Sequence, residues 1–311
     1  MNRPAFTKKN ISITILISML LLLLACTGKK APTVDPYIWL EQQPKPWKMS
    51  TEQVNAFLPE LGKHFPDFQE RIKVIAIWRI GTPYEIFKLG EEQAPDTDPI
   101  IRLDVSDCTG HVLTTLAFGQ ADTWTHARQN MIQIHYKRST AGVKQPTYES
   151  RWHFTADRIR SNPFTVDISQ SLIPHEKLDS VTVILNHKKD GKELLPLDWE
   201  RKLQVFFIPN DQINAELMSK LPPVCGVAFV KPSFFDQGIV IGHEGMIIDQ
   251  SDLIHASQSA GETVRLPFLD YYFPKDGKPF FGGIMIYTFK PLPKTNTIKN
   301  TSATTTTGIT S

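Results

Sequence analysis

The chain has 311 residues, and its 34 Lys and Arg nearly balance 32 Asp and Glu, for a formal charge of +2. That balance excludes the long basic face of a nucleic-acid binder. Three cysteines, Cys26, Cys108 and Cys225, are too few and too far apart for a disulfide framework, and the length suits one large domain or two small ones.

The N-terminus carries a targeting pattern. Arg3, Lys8 and Lys9 form a basic region, followed by an uncharged run from Ile11 to Leu24. A membrane span needs ~20 apolar residues, so this shorter run suits the core of a signal peptide. It ends in Leu23-Leu24-Ala25-Cys26, which resembles a bacterial lipobox. The resemblance implies that residues 1–25 are a lipoprotein signal peptide and that the Cys26 thiol is acylated. A plain secretory signal with an incidental cysteine, or an N-terminal membrane anchor, are the alternatives. Acyl chains hold a protein to a membrane at ~0.8 kcal/mol per buried methylene. An aspartate after the cysteine often signals inner-membrane retention in enteric bacteria, so Thr27 favours the outer membrane, facing the periplasm, in a cell that has one. Residues 26–45 read as a polar, proline-bearing lipidated tether.

Ser50-Thr51-Glu52-Gln53 has capping-box spacing and predicts a helix, which Pro59 and Gly62 interrupt. Asp67 to Arg79 predicts a second helix, ended by the turn Gly81-Thr82-Pro83-Tyr84. Helical spacing continues from Thr109 to Phe118 and from Ala121 to Tyr136. Then the pattern changes. Val181–Leu185, Leu203–Ile208, Val224–Val230, Ile239–Ile248, Thr263–Leu266 and Gly283–Phe289 are short, β-branched or aromatic, and punctuated by turn residues. Helices first and strands later predict an α+β body, residues 46–293, with a mainly antiparallel sheet. Residues 294–311 are almost all small and polar and read as a disordered tail.

The chemistry centres on Asp107-Cys108-Thr109-Gly110-His111, at a predicted loop-to-helix junction. Unpaired amides and the helix dipole at such a position favour thiolate over thiol. A buried structural cysteine is the commoner fate of a lone thiol, and Cys225 is read that way. A nucleophilic cysteine needs a base, and two candidates lie downstream. His243 sits in the apolar segment Gly238–Ile248, and His255 in Leu253–Ser257. A hairpin through Asp249 to Asp252 places them on neighbouring strands, where one can orient the other.

These residues carry a family resemblance. Asp-Cys-Thr-Gly at 107–110 is similar to the Asp-Cys-Ser-Gly of NlpC-type cell-wall peptidases. His-Glu-Gly-Met-Ile-Ile at 243–248 is similar to their His-Val-Gly-Ile-Tyr strand. The closer likeness is to the N-acetylmuramoyl-L-alanine amidase-like branch. Its blocks appear in order as Gly81-Thr82-Pro83-Tyr84, Arg151-Trp152-His153 with Asp157, His255-Ala256-Ser257, Tyr271-Tyr272 and Gly283-Ile284-Met285. The chain departs from the branch at Thr109-Gly110-His111, where Val-Thr-Phe is usual, and at Glu244, where relatives carry a small or apolar residue. That glutamate either raises the pKa of the base or points away on the opposite strand face.

The resemblance implies a papain-like core. No cofactor is expected, and no close His, Cys or Glu spacing supports a metal on His111 and His153. The resemblance assigns Cys108 as nucleophile, His243 as base and His255 as orienting residue, with the reverse order of the two histidines as the alternative. Tyr84, Arg151 and His153 are candidate substrate contacts. Arg151 would pair with a stem-peptide carboxylate or else form a structural salt bridge, with Asp157 for example. The implied substrate is peptidoglycan or its muropeptide fragments, cut between the muramoyl lactyl group and L-Ala. A γ-D-glutamyl endopeptidase uses the same residues. A non-catalytic peptidoglycan-binding lipoprotein is the other reading, and envelope proteolysis or acyl transfer a further one.

Overall fold

The computed structural model describes residues 36–138, 145–275 and 278–293. The expected signal peptide, the Cys26 anchor and the 294–311 tail lie outside them. The chain divides into two units, residues 1–43 and 44–311. The first holds a short helix, α1 (Pro36–Glu41). Everything below concerns the second.

The four longest described helices of that unit begin at a side chain that accepts a hydrogen bond from a free N-terminal amide. In α2 (Thr51–His64) the capping box is complete. Ser50 Oγ accepts from the Gln53 amide at 3.3 Å, and Gln53 Oε1 accepts from the Ser50 amide at 2.8 Å. Asp67 caps α3 (Phe68–Trp78), Asp107 caps α4 (Cys108–Phe118) and Thr123 caps α5 (Trp124–His135). The expected interruption at Pro59 does not occur, because α2 runs on to His64. An internal proline costs ~3 kcal/mol. Burial of Val54, Phe57, Leu58 and Leu61 on one face outweighs it, at roughly 1.5–3 kcal/mol per side chain.

Short helices α6 (Thr155–Ser161), α7 (Ser169–Leu172), α8 (Ala215–Ser219) and α9 (Phe268–Tyr272) are interleaved with eight described strands. These are β1 (Thr165–Asp167), β2 (Asp179–Leu185), β3 (Arg201–Pro209), β4 (Val224–Val230), β5 (Ile241–Ile248), β6 (Asp252–Ser257), β7 (Glu262–Pro267) and β8 (Gly283–Phe289). They form one sheet in the order β2-β3-β8-β4-β5-β6-β7, with β1 beside β8. All the pairings are antiparallel, so the mixed fold with a mainly antiparallel sheet is as expected.

Every residue of β4 is buried, which requires cover on both faces of the sheet. Helix α3 packs on β4, and α4 packs on β5 and β6. A second apolar cluster gathers Cys225, Val227 and Phe229 of β4 with Leu217, Leu221, Phe268, Tyr272 and Ile286. Cys225 belongs to that core, where burial pushes its thiol up to about 12. The predicted β5–β6 hairpin is present. Asp249 and Gln250 both take left-handed φ values, 51° and 58°, the geometry of the primed turns that match strand twist.

Candidate active site

The nucleophile candidate opens α4. Asp107 Oδ1 accepts from the Gly110 amide at 2.6 Å and Oδ2 from the Phe87 amide at 2.9 Å. One carboxylate therefore fixes both the start of the helix and the preceding loop. Residues 81–84 are clamped beside it. The Gly81 amide donates to Thr263 O and the Tyr84 amide to Gly261 O, each at 2.8 Å, while the Ser106 amide donates to Pro83 O at 2.9 Å. Gly81 has φ +92°, and a Cβ there would meet the Trp47 ring at 2.8 Å, so only glycine fits. The clamp sets Tyr84 near Cys108. Burial, then the charges of Cys108 and Asp107, hold its phenol above the ordinary range.

The two histidines meet across β5 and β6. His243 Nε2 lies 2.7 Å from His255 Nδ1, with the rings edge to face. Gly245 permits the approach, because a Cβ on it would stand 2.9 Å from His255 Cβ. The contact occupies Nε2 of His243 and leaves its Nδ1 for another partner. Cys108 faces the same strand, with the Glu244 amide directed at its sulfur.

Desolvation opposes the thiolate that the helix position favours. Burial pushes Cys108 up to about 12, with the Asp107 and Glu244 carboxylates adding to the shift. A helix dipole contributes ~1 kcal/mol, less than desolvation of a sulfur anion takes away. The same dryness pushes His243 down to about 4 and His255 to about 3, the latter aided by His243. Burial thus favours the neutral thiol at Cys108 and the neutral imidazole at both histidines.

Stability should follow from that neutrality. Buried His111 and His135 are also held well below the usual histidine range, mainly by desolvation. Unfolded histidine takes up its proton near pH 6.5, whereas these four do so only far lower, so the unfolded chain binds more protons in between. Their contribution is complete above about pH 6.5 and is lost as pH falls towards 4, at roughly 1.4 kcal/mol per unit for each group. Thermal unfolding followed from pH 7 to pH 4.5 is expected to show a steep fall in Tm. A flat profile would contradict the buried neutral set.

The remaining expected contacts are distributed differently. Arg151 is held on Glu91 at 2.6 and 2.5 Å and on Asp96 at 2.7 Å. Its salt bridge is thus internal, and not with Asp157, which pairs with Arg201 and Lys137. His153 Nε2 sits 2.6 Å from the Tyr148 carbonyl. Among the described residues neither Arg151 nor His153 hydrogen-bonds Cys108, His243 or His255. No three His, Cys, Asp or Glu side chains converge as metal ligands among them either.

Tyr271 is a site residue whose place was not apparent from sequence. Its ring centroid is 4.8 Å from that of His255 and 6.4 Å from that of His243. Burial and then Cys108 push its phenol up to about 12. The only signal was its membership of the Tyr271-Tyr272 block. Phe87 is another surprise, because its side chain is 77% exposed on a left-handed backbone, φ 56°, rare for a bulky residue.

Comparisons with known proteins place the chain among amidase-like hydrolases of the peptidoglycan-directed class. A family model described as N-acetylmuramoyl-L-alanine amidase-like matches residues 75–278, and the chain belongs to that family. Solved structures agree on the fold. A Legionella pneumophila protein superposes with TM-score 0.63 at 21% identity, covering 78% of this chain and 94% of its own. A Bacteroides uniformis N-acetylmuramoyl-L-alanine amidase gives TM-score 0.55 at 21% identity, covering 72% and 99%. A Bacteroides fragilis protein provisionally named a xylanase gives 0.53 at 20%, covering 69% and 99%. At such identities the likeness carries fold and not activity. No protein of curated function matches the chain.

Proposed function

We propose that the protein is a papain-like cysteine amidase of the NlpC type. On this reading it hydrolyses the amide between N-acetylmuramoyl and L-Ala in peptidoglycan or its soluble fragments. The observation that carries it is the 2.7 Å His243–His255 contact beside the capped Cys108 helix. It orients one imidazole and leaves its second nitrogen free to take a proton.

As the Cys108 sulfur attacks the amide carbonyl carbon, its proton passes to His243 Nδ1. The tetrahedral oxyanion is met by backbone amides near Cys108. His243 then protonates the departing L-Ala amine as the C–N bond breaks, leaving a thioester. Water, deprotonated by His243, attacks the thioester and releases the muramic carboxylate and the thiol. Tyr84 and Tyr271 keep their phenolic protons at neutral pH and supply donors to substrate. In this reading residues 46–293 are the catalytic body, and acylated Cys26 ties the tether of residues 26–45 to the outer membrane, facing the periplasm.

The test is mass spectrometry of purified peptidoglycan and of soluble anhydro-muropeptides after incubation with residues 27–311. Free stem peptides that begin at L-Ala are the expected product. Release of L-Ala–D-Glu dipeptides would make the enzyme an endopeptidase with the same residues, and no product from either substrate would favour a binding protein.

A further inference from the structure

Glu244 follows the candidate base on β5, and strand alternation sends its side chain to the opposite face. There it is fully buried. Three donors from three other elements converge on its carboxylate. Arg158 Nη2 of α6 donates at 2.8 and 2.6 Å, Tyr287 Oη of β8 at 2.7 Å and Thr109 Oγ1 of α4 at 2.8 Å. Tyr287 reaches this position because it crosses Gly226 of β4, where a Cβ would stand 2.2 Å from its ring. Thr109 is the neighbour of Cys108, and Glu244 the neighbour of His243. One short hydrogen bond therefore ties the residue beside the nucleophile to the residue beside the base.

A buried ion pair is a poor device for stability alone, since well-packed apolar residues in its place are often as stable or more so. It is also an awkward neighbour for a nucleophile, because the Glu244 charge works against ionisation of Cys108. Arg158 offsets that charge. Burial works against the Arg158 cation, yet Glu244 holds its pKa above the ordinary arginine value. What the arrangement does supply is a fixed, saturated anchor for the Thr109 hydroxyl.

We infer that Glu244, held from behind by Arg158 and Tyr287, is a positioning residue that acts through Thr109 to set Cys108 against His243. The inference rests on the cysteine–histidine reading above. Without the link, the Asp107 cap and the Glu244 amide still hold the head of α4, but Thr109 loses its anchor and the sulfur shifts relative to a base fixed on β5. Displacements of the order of 1 Å at a reacting centre cost up to about a hundredfold in rate.

The experiment compares Thr109→Val, Thr109→Ser and Cys108→Ala in the full chain. The readouts are steady-state hydrolysis of a soluble anhydro-muropeptide and the rate of Cys108 alkylation by iodoacetamide. Thr109→Val keeps side-chain shape and leaves Glu244 its other donors, so the fold survives. Its kcat is expected to fall about tenfold while KM stays within about twofold, and alkylation of Cys108 is expected to change with kcat. Thr109→Ser, which restores the hydroxyl, returns both towards wild type. If Cys108→Ala is inactive while Thr109→Val matches wild type in kcat and alkylation, the positioning role is overturned and the cysteine mechanism stands. If Cys108→Ala retains activity, the cysteine mechanism falls and takes the positioning role with it.

Discussion

Cys108→Ala is expected to lower kcat by at least about a thousandfold, with no more than ~1 kcal/mol change in stability. The two halves of this expectation have separate causes. A covalent route divides one difficult displacement into two easier steps, and without the sulfur neither step has a nucleophile. The thiol contributes little to folding, because the helix that it heads is capped by Asp107 and not by the sulfur. His243→Ala is expected to reach a similar loss, and the double variant to be scarcely worse than either single one. Groups that act as one unit are not additive. Single-turnover assays on muropeptide with all three variants would check this. Losses that multiply would show that Cys108 and His243 act separately.

Arg158→Ala is expected to destabilise the fold by roughly 3–5 kcal/mol, the usual effect of removing one partner of a buried pair. The side chains of Arg158 and Glu244 are each only 1% exposed. Truncating the arginine strands a carboxylate among apolar neighbours, with two hydroxyls as its remaining side-chain donors. The double variant Arg158→Met with Glu244→Leu removes both charges, and should recover most of that stability. Its activity should stay low, because Thr109 then has no acceptor. Urea unfolding midpoints for the single and double variants give the comparison. A shift below ~1 kcal/mol in Arg158→Ala would mean that the carboxylate finds another partner.

The elements legible in sequence were those whose signals are local. The caps at Ser50 and Asp67 mark where α2 and α3 begin, and the apolar runs of β4 and β8 have the bounds expected of them. Pro59 misled because its local cost is outweighed by burial that only tertiary packing supplies. Strand β1 has three residues, too few to show a period. Helix α6, which carries Arg158, is seven residues long with no side-chain cap.

The same division holds at the site. Cys108, His243 and His255 sit in short recognisable blocks, and the structure brings the two histidines together at the strand beside the cysteine. The surroundings of Glu244 were not legible, because its partners Thr109, Arg158 and Tyr287 stand 135, 86 and 43 residues away in the chain. Strand alternation decides between the two orientations open to Glu244 in favour of the opposite face. Helix position at Cys108 is visible in sequence, whereas the desolvation that opposes its thiolate is not.

The double duty of Asp107 constrains how this surface can vary over evolutionary time. Its two oxygens hold a helix start and the amide of Phe87, twenty residues earlier in the chain. An insertion or deletion between Tyr84 and Phe87 would shift that amide and withdraw a donor from the residue that caps the Cys108 helix. The exposed rim and the buried chemistry are therefore not free to drift independently. Lineages that remodel the rim must do so through side chains, Phe87 itself first among them, while the length of the loop stays fixed.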